Sequence, residues 1–159
     1  MIITGRSGSG KTYLACAFGN KACHKGYSVK YYRIPELLIE IQDAITGHGY
    51  PKFIKQLERV NLLILDDIGL KAYTLEESRA LVEAAESRCN KASTIIVGQT
   101  PHGEWYDLFP DPITADAFMD RMIHSAIIMP LDSQKSMRQV MAAKKMGSLT
   151  GLEGGHSGG

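Results

Sequence analysis

Gly5-Arg6-Ser7-Gly8-Ser9-Gly10-Lys11-Thr12 spells G-x-x-x-x-G-K-T directly after the apolar run Met1-Ile2-Ile3. Strand, glycine-rich turn and helix start, in that order, are the context of a phosphate-binding loop. The pattern constrains the fold because a loop that wraps a triphosphate must offer successive backbone N–H groups, which bulky side chains would block. The helix beginning near Lys11 turns the positive end of its dipole toward the same anion. Lys11 adds a full charge for the β- and γ-phosphates, and the Thr12 hydroxyl can ligate Mg²⁺. Gly5, Arg6, Ser7, Gly8, Ser9, Gly10, Lys11 and Thr12 are therefore the candidate nucleotide-binding residues. The dinucleotide fingerprint G-x-G-x-x-G is not met, because Tyr13 stands where its third glycine would be.

Behind the loop, strand and helix patterns alternate, which predicts a parallel sheet with helices on both faces. Strands are expected over residues 1–4, 28–32, 61–66, 93–97 and 125–129. Residues 11–25 form the first helix, with Leu14, Ala17, Phe18 and Ala22 on one face and Gly26 ending it. Pro35 opens a second helix, carrying Leu37, Leu38, Ile41, Ala44 and Ile45 at helical spacing until Gly47-His48-Gly49 stops it. A short helix follows over residues 51–59. Thr74 with Glu77 three residues on has the form of a capping box, so a helix is expected from there to Cys89. Residues 101–109 read as a loop or short helix, Asp111-Pro112 primes a helix over 113–124, and a terminal helix is expected over 134–146. Residues 147–159 are rich in glycine and serine and read as a flexible tail behind a core of residues 1–146.

The second half of a nucleotide site is visible in Leu62-Leu63-Ile64-Leu65-Asp66-Asp67, a buried-strand pattern of Walker B type ending in two acids. Side chains at the carboxyl end of a parallel strand project into the crevice where ligands bind. Two acids there can divide the labour, Asp66 orienting the Mg²⁺ shell and Asp67 polarising the attacking water. The strand Thr94-Ile95-Ile96-Val97 leads into Gly98-Gln99-Thr100, which makes Gln99 the candidate to sense the γ-phosphate or position water. Arg121, late in its helix, has three readings: a cap on its own helix C-terminus, a partner of Asp116 or Asp120, or an arginine finger in a neighbour's site.

Composition narrows the class. With 44% hydrophobic and 22% charged residues the chain is ordinary for a globular domain. No apolar run approaches the ~18–20 residues of a membrane span, and the chain opens on strand and P-loop rather than a secretory signal. Three cysteines without paired spacing fit a reduced cytoplasm and small buried apolar roles. The net charge of +1 leaves no broad nucleic-acid footprint. Any DNA contact needs local clusters such as Lys52, Lys55 and Arg59, or Lys21, Lys25, Lys30 and Arg33, each of which also reads as a solvated basic face. Tyr31 and Tyr32 alternate on a strand, so at least one belongs in the core, with nucleotide-base stacking the alternative, and Trp105, Tyr106 and Phe109 read as a loop anchored on the core rather than a binding platform. The five histidines lack metal-ligand spacing.

Several longer stretches carry a family likeness: G-R-S-G-S-G-K-T at residues 5–12, G-Y-S-V-K-Y-Y-R at 26–33, L-L-I-L-D-D-I-G at 62–69, D-P-I-T-A-D-A-F-M-D-R-M-I-H at 111–124 and S-M-R at 136–138. The chain resembles the ATPase core of IstB-like transposition helper proteins, relatives of the DnaC-type helicase loaders in the initiator branch of AAA+ ATPases. The likeness covers residues 2–139. It implies a three-layer αβα P-loop NTPase of the AAA+ type with a parallel five-stranded sheet, using ATP and Mg²⁺. By resemblance Thr12 and Asp66 are the Mg²⁺ positions, Asp67 is the acidic residue of Walker B, and Gln99 holds the sensor position at the end of its strand. Arg121 is similar to the arginine finger that acts in trans, and Arg138 to a second, sensor-like arginine. The implied partners are DNA, double-stranded DNA favoured, a transposase, and further copies of the chain in the ATP state, in the cytoplasm and not at a membrane. Family members carry an N-terminal helical domain and an adenine-pocket segment before the first strand, so the chain is expected to be a truncated core. Three alternatives stay open: a replicative helicase loader, a nucleotide-binding fragment without turnover, and a small-molecule kinase, although no arginine-rich lid segment is found.

Overall fold

A computed structural model describes residues 1–131. Five parallel strands form one sheet in the order β2-β3-β4-β1-β5, where β1 is Ile2–Gly5, β2 Val29–Arg33, β3 Leu62–Ile68, β4 Ser93–Gly98 and β5 Ile128–Leu131. The helices are α1 (Lys11–His24), α2 (Ile34–Thr46), α3 (Tyr50–Arg59), α4 (Leu75–Arg88) and α5 (Pro112–Met122), with a 3-10 helix at His102–Leu108. Alternation along each strand divides the core into two layers. Ile3, Ile64, Ile95 and Val97 face α1 and pack with Ala15. Ile2, Leu63, Leu65 and Ile96 face the other way, onto Leu37 and Ile41 of α2, Leu57 of α3, Leu81 of α4 and Phe118 of α5. This is the expected three-layer αβα arrangement.

Local chemistry sets the element ends. Thr74 Oγ1 accepts from the Glu77 backbone N–H at 3.2 Å while Glu77 Oε2 accepts from the Thr74 N–H at 2.9 Å, so the capping box forms as read. Asp111 Oδ1 accepts from the Thr114 N–H at 2.9 Å, and Pro112 opens α5. Arg88 of α4, 1% exposed, donates to the carbonyls of Leu57, Val60 and Ser93 and to Thr94 Oγ1, tying the end of α3 to the start of β4. Burial pulls its pKa down to about 10.

Four readings need correction. In α1 the buried stripe is Lys11, Ala15 and Gly19, with Ala17 exposed and Leu14 and Phe18 half-buried. Small residues let this helix lie close to the sheet, which turns the larger apolar groups to its flanks. The same rotation leaves Cys16 and Cys23 exposed rather than buried, with Cys89 half-buried. The third strand does not stop at Asp66 but continues to Ile68, through a register shift against β4. The last strand begins at Ile128, not at residue 125, and runs through Pro130 to Leu131. Proline is accepted there because β5 is an edge strand among the described residues and its outer N–H groups have no ladder to serve. The expected terminal helix, the tail and Arg138 lie outside the described residues.

Candidate functional site

The P-loop leaves β1 at Gly5, and the two acids leave β3 two strands away, at the same carboxyl edge of the sheet. Gly8 and Gly10 take φ values of +78° and +90°, a region that only glycine enters without strain. Gly10 is the N-cap of α1 and provides no side-chain cap, and no acid sits in the first turn. The opening N–H groups of this helix are thus left for an external acceptor. Lys11 Nζ donates to the Arg6 carbonyl at 2.7 Å, folding the side chain along the loop. Burial lowers the pKa of its ammonium, and the Asp66 and Asp67 carboxylates raise it in opposition.

Strand parity brings the first acid to the loop. Ile64 faces α1, so Asp66, two residues on, faces the start of the same helix. Thr12 Oγ1 donates to Asp66 Oδ2 at 2.7 Å. Asp66 is 3% exposed, and its Oδ1 accepts from the Asp67 N–H at 2.7 Å.

In a regular strand Asp67 would point to the opposite face. It does not, because Asp67 takes φ +63° within the register shift between Leu65 and Ile68. A bulge re-aims a side chain in this way, and aspartate tolerates the left-handed region better than most residues. Both acids therefore reach one cavity of about 330 Å³, lined by Ser7, Gly8, Gly10, Lys11, Thr12, Tyr13, Asp66, Asp67, Gly98 and Gln99.

Most of the residues singled out in the sequence meet here. Ser7, Gly8, Gly10, Lys11, Thr12, Asp66, Asp67 and Gln99 share the cavity wall. Gly5, Arg6 and Ser9 support the loop from outside that wall: Gly5 ends β1, the Arg6 carbonyl accepts from both Lys11 Nζ and the Ser9 N–H, and Ser9 is buried. Arg121 is not at the cavity of its own chain. It lies with Met1, Thr94 and Ser125 at the other end of the strands, donating to the Ala117 carbonyl at 2.9 Å and to Glu86 Oε1 at 3.2 Å.

Three neighbours of the site escaped the sequence reading. Tyr13 lines the cavity with an exposed ring. Tyr31 Oη donates to Asp66 Oδ2 at 2.8 Å, and Arg33 Nε meets Asp67 Oδ2 at 2.5 Å. Residues 31 and 33 share a face of β2, and the pairing of β2 with β3, which their spacing does not reveal, brings that face to the two acids.

The sequence model of the IstB-like ATP binding protein family matches residues 1–145. The chain belongs to the IstB-like ATP-binding protein family. A putative insertion sequence ATP-binding protein of Sinorhizobium fredii is 38% identical over 138 residues, covering 87% of this chain and 56% of that protein. The IstB-like chain thus spans about half the length of the curated relatives it matches. Among solved structures, AMPPCP-bound DnaA from Aquifex aeolicus superposes with a TM-score of 0.74 at 19% identity, over 94% of this chain and 45% of that one. The DnaC helicase loader superposes with a TM-score of 0.68 at 18% identity, over 83% of this chain and 77% of that one. At these identities the likeness establishes the fold alone, a parallel five-stranded α/β sheet flanked by helices, for this IstB-like domain.

Proposed function

We propose that this chain binds ATP with Mg²⁺, hydrolyses it, and uses the nucleotide cycle to assemble on DNA in support of a transposase. The observation that carries the reading is the single cavity in which the P-loop, both Walker B acids and Gln99 meet, with Thr12 bonded to Asp66. Hydroxyl and carboxylate oxygens 2.7 Å apart are hard donors of the kind Mg²⁺ takes. Among the described residues no three His, Cys, Asp or Glu side chains gather to cage a metal.

Thr12 and Asp66 are the residues that would hold it. When bound, Mg²⁺ supplies positive charge beside the β- and γ-phosphate oxygens and orients them. Lys11 and the N–H groups of the loop and of the first turn of α1 bind the phosphates. Asp67 accepts a hydrogen bond from the attacking water and takes up its proton. Gln99, at the end of β4, holds that water or reads the γ-phosphate. Arg121 serves the site of an adjoining copy, a role supported by its distance from its own cavity. Arg138 adds a sensor-like nucleotide contact by family resemblance.

The insertion-sequence name of the Sinorhizobium relative supports a place in transposition; double-stranded DNA, a transposase partner and the cytoplasm enter the proposal by family resemblance. No helix of the described residues is long and apolar enough to cross a membrane. A second reading, the loader of a replicative helicase, is favoured by the fold shared with the DnaC helicase loader. ATP hydrolysis and sedimentation measured with double- or single-stranded DNA, with and without transposase, separate the two. The transposition reading predicts ATP-dependent assembly and faster turnover on double strands. Stimulation confined to single strands with a replicative helicase would establish the loader, and absence of turnover at every protein concentration would contradict the ATPase.

A further inference from the structure

The edge strand β2 serves the Walker B acids in a way that the P-loop and Walker B motifs do not specify. Asp66 Oδ2 accepts two hydrogen bonds, one from Thr12 Oγ1 at 2.7 Å and one from Tyr31 Oη at 2.8 Å. Its Oδ1 accepts from the Asp67 N–H at 2.7 Å. The carboxylate is thus held from three directions: by α1, by its own strand and by β2. Tyr31 reaches it because residues 31 and 33 lie on one face of β2, in register with Ile64 and Asp66 of β3. Its neighbour Tyr32 points to the other face, is 4% exposed and donates to Glu40 Oε2 at 2.7 Å. Packing therefore accounts for Tyr32, whereas Tyr31 is 39% exposed and spends its hydroxyl on the site.

We propose that Tyr31 is the positioning residue of the Mg²⁺ site: its hydroxyl fixes the rotamer of Asp66, so that Asp66 and Thr12 are set for the ion before it arrives. The inference rests on the reading of the cavity as an ATP–Mg²⁺ site. Donors behind a metal-orienting carboxylate act by limiting its rotation, and removing one typically weakens metal affinity by about 10- to 100-fold. Thr12 alone cannot substitute, because in this reading it is itself an ion ligand.

The test uses Tyr31→Phe, which keeps the ring and deletes only the donor, with Tyr32→Phe as the control. Binding of a fluorescent, slowly hydrolysed ATP analogue is titrated in EDTA and again across a range of Mg²⁺. The inference predicts that Tyr31→Phe matches the wild type in EDTA but needs about tenfold more Mg²⁺ to reach half of its Mg²⁺-dependent gain in affinity. Tyr32→Phe should follow the wild-type Mg²⁺ curve. An unshifted Mg²⁺ midpoint in Tyr31→Phe overturns the inference. So does a loss of affinity that is equal with and without Mg²⁺, which would make Tyr31 a wall of the cavity. If the wild type itself shows no Mg²⁺ dependence, the reading of the cavity fails, and this proposal with it.

Discussion

Thr12 Oγ1 donates a 2.7 Å hydrogen bond to Asp66 Oδ2, joining the first turn of α1 to β3 across 54 positions of sequence. The bond joins residues drawn from the two motifs, P-loop and Walker B, that the sequence presents separately. It forms because β4 alone separates β1 from β3, and because the parity of β3 turns Asp66 toward the helix that the P-loop begins.

Asp67 lines the cavity from a left-handed backbone position, φ +63°. Asparagine is the residue best able to keep that conformation, so Asp67→Asn removes charge without straining the bulge. We expect the variant to bind ATP within about threefold of the wild type and to lose about 100-fold or more in turnover, the range of general-base contributions. Equilibrium binding alongside a phosphate-release assay reads both quantities.

Arg121 makes an exposed ion pair with Glu86 at 3.2 Å and a bond to its own helix. Exposed pairs contribute about 0–1 kcal/mol, so Arg121→Ala should barely move the melting temperature. As a finger in trans it should lower turnover by about 10³-fold. Wild-type specific activity should rise with protein concentration, and that rise should vanish in the variant. A variant that keeps the concentration dependence would remove Arg121 from the neighbour's site.

Gly98 ends β4 immediately before Gln99, and a Cβ there would stand 2.7 Å from Ile68 Cγ2 and 3.0 Å from the Trp105 ring. Trp105 is fully buried and donates to the Thr100 carbonyl at 3.2 Å, so it has no room to retreat. Gly98→Ala should therefore cost about 1–3 kcal/mol in thermal or denaturant unfolding, the usual penalty of overpacking. Because the strain falls next to Gln99, turnover should drop further than ATP affinity.

The frame of the fold was legible because its signals were local or strictly periodic. The G-x-x-x-x-G-K-T loop, the apolar run before Asp66, and Thr74 with Glu77 each state a geometry in a few residues; the loop and the capping box appear where they were read, and the strand through Asp66 appears but runs on to Ile68. Trp105 and Phe109 anchor their segment on the core as expected. What escaped depends on how distant elements meet. Nothing near Asp67 announces a bulge, because aspartate is common in ordinary turns as well. Tyr31 and Arg33 acquire their roles only when β2 is known to lie beside β3, and Arg33 had been grouped with a basic surface instead. The run of small residues in α1 reverses the usual inference that large apolar groups mark the buried face. Pro130 fits inside β5 because, among the described residues, that strand lies at the edge of the sheet.

The central claim is that the P-loop and Walker B strand form one ATP–Mg²⁺ site, and calorimetric titration of ATP in Mg²⁺ against the wild type and Lys11→Ala tests it most directly. Among the described residues Lys11 is the one cation of the cavity wall, so no described neighbour there replaces its charge. The account predicts saturable binding by the wild type and an affinity about 100-fold lower or worse in Lys11→Ala, as loss of a buried charged contact requires. Equal affinity of the two proteins would contradict it.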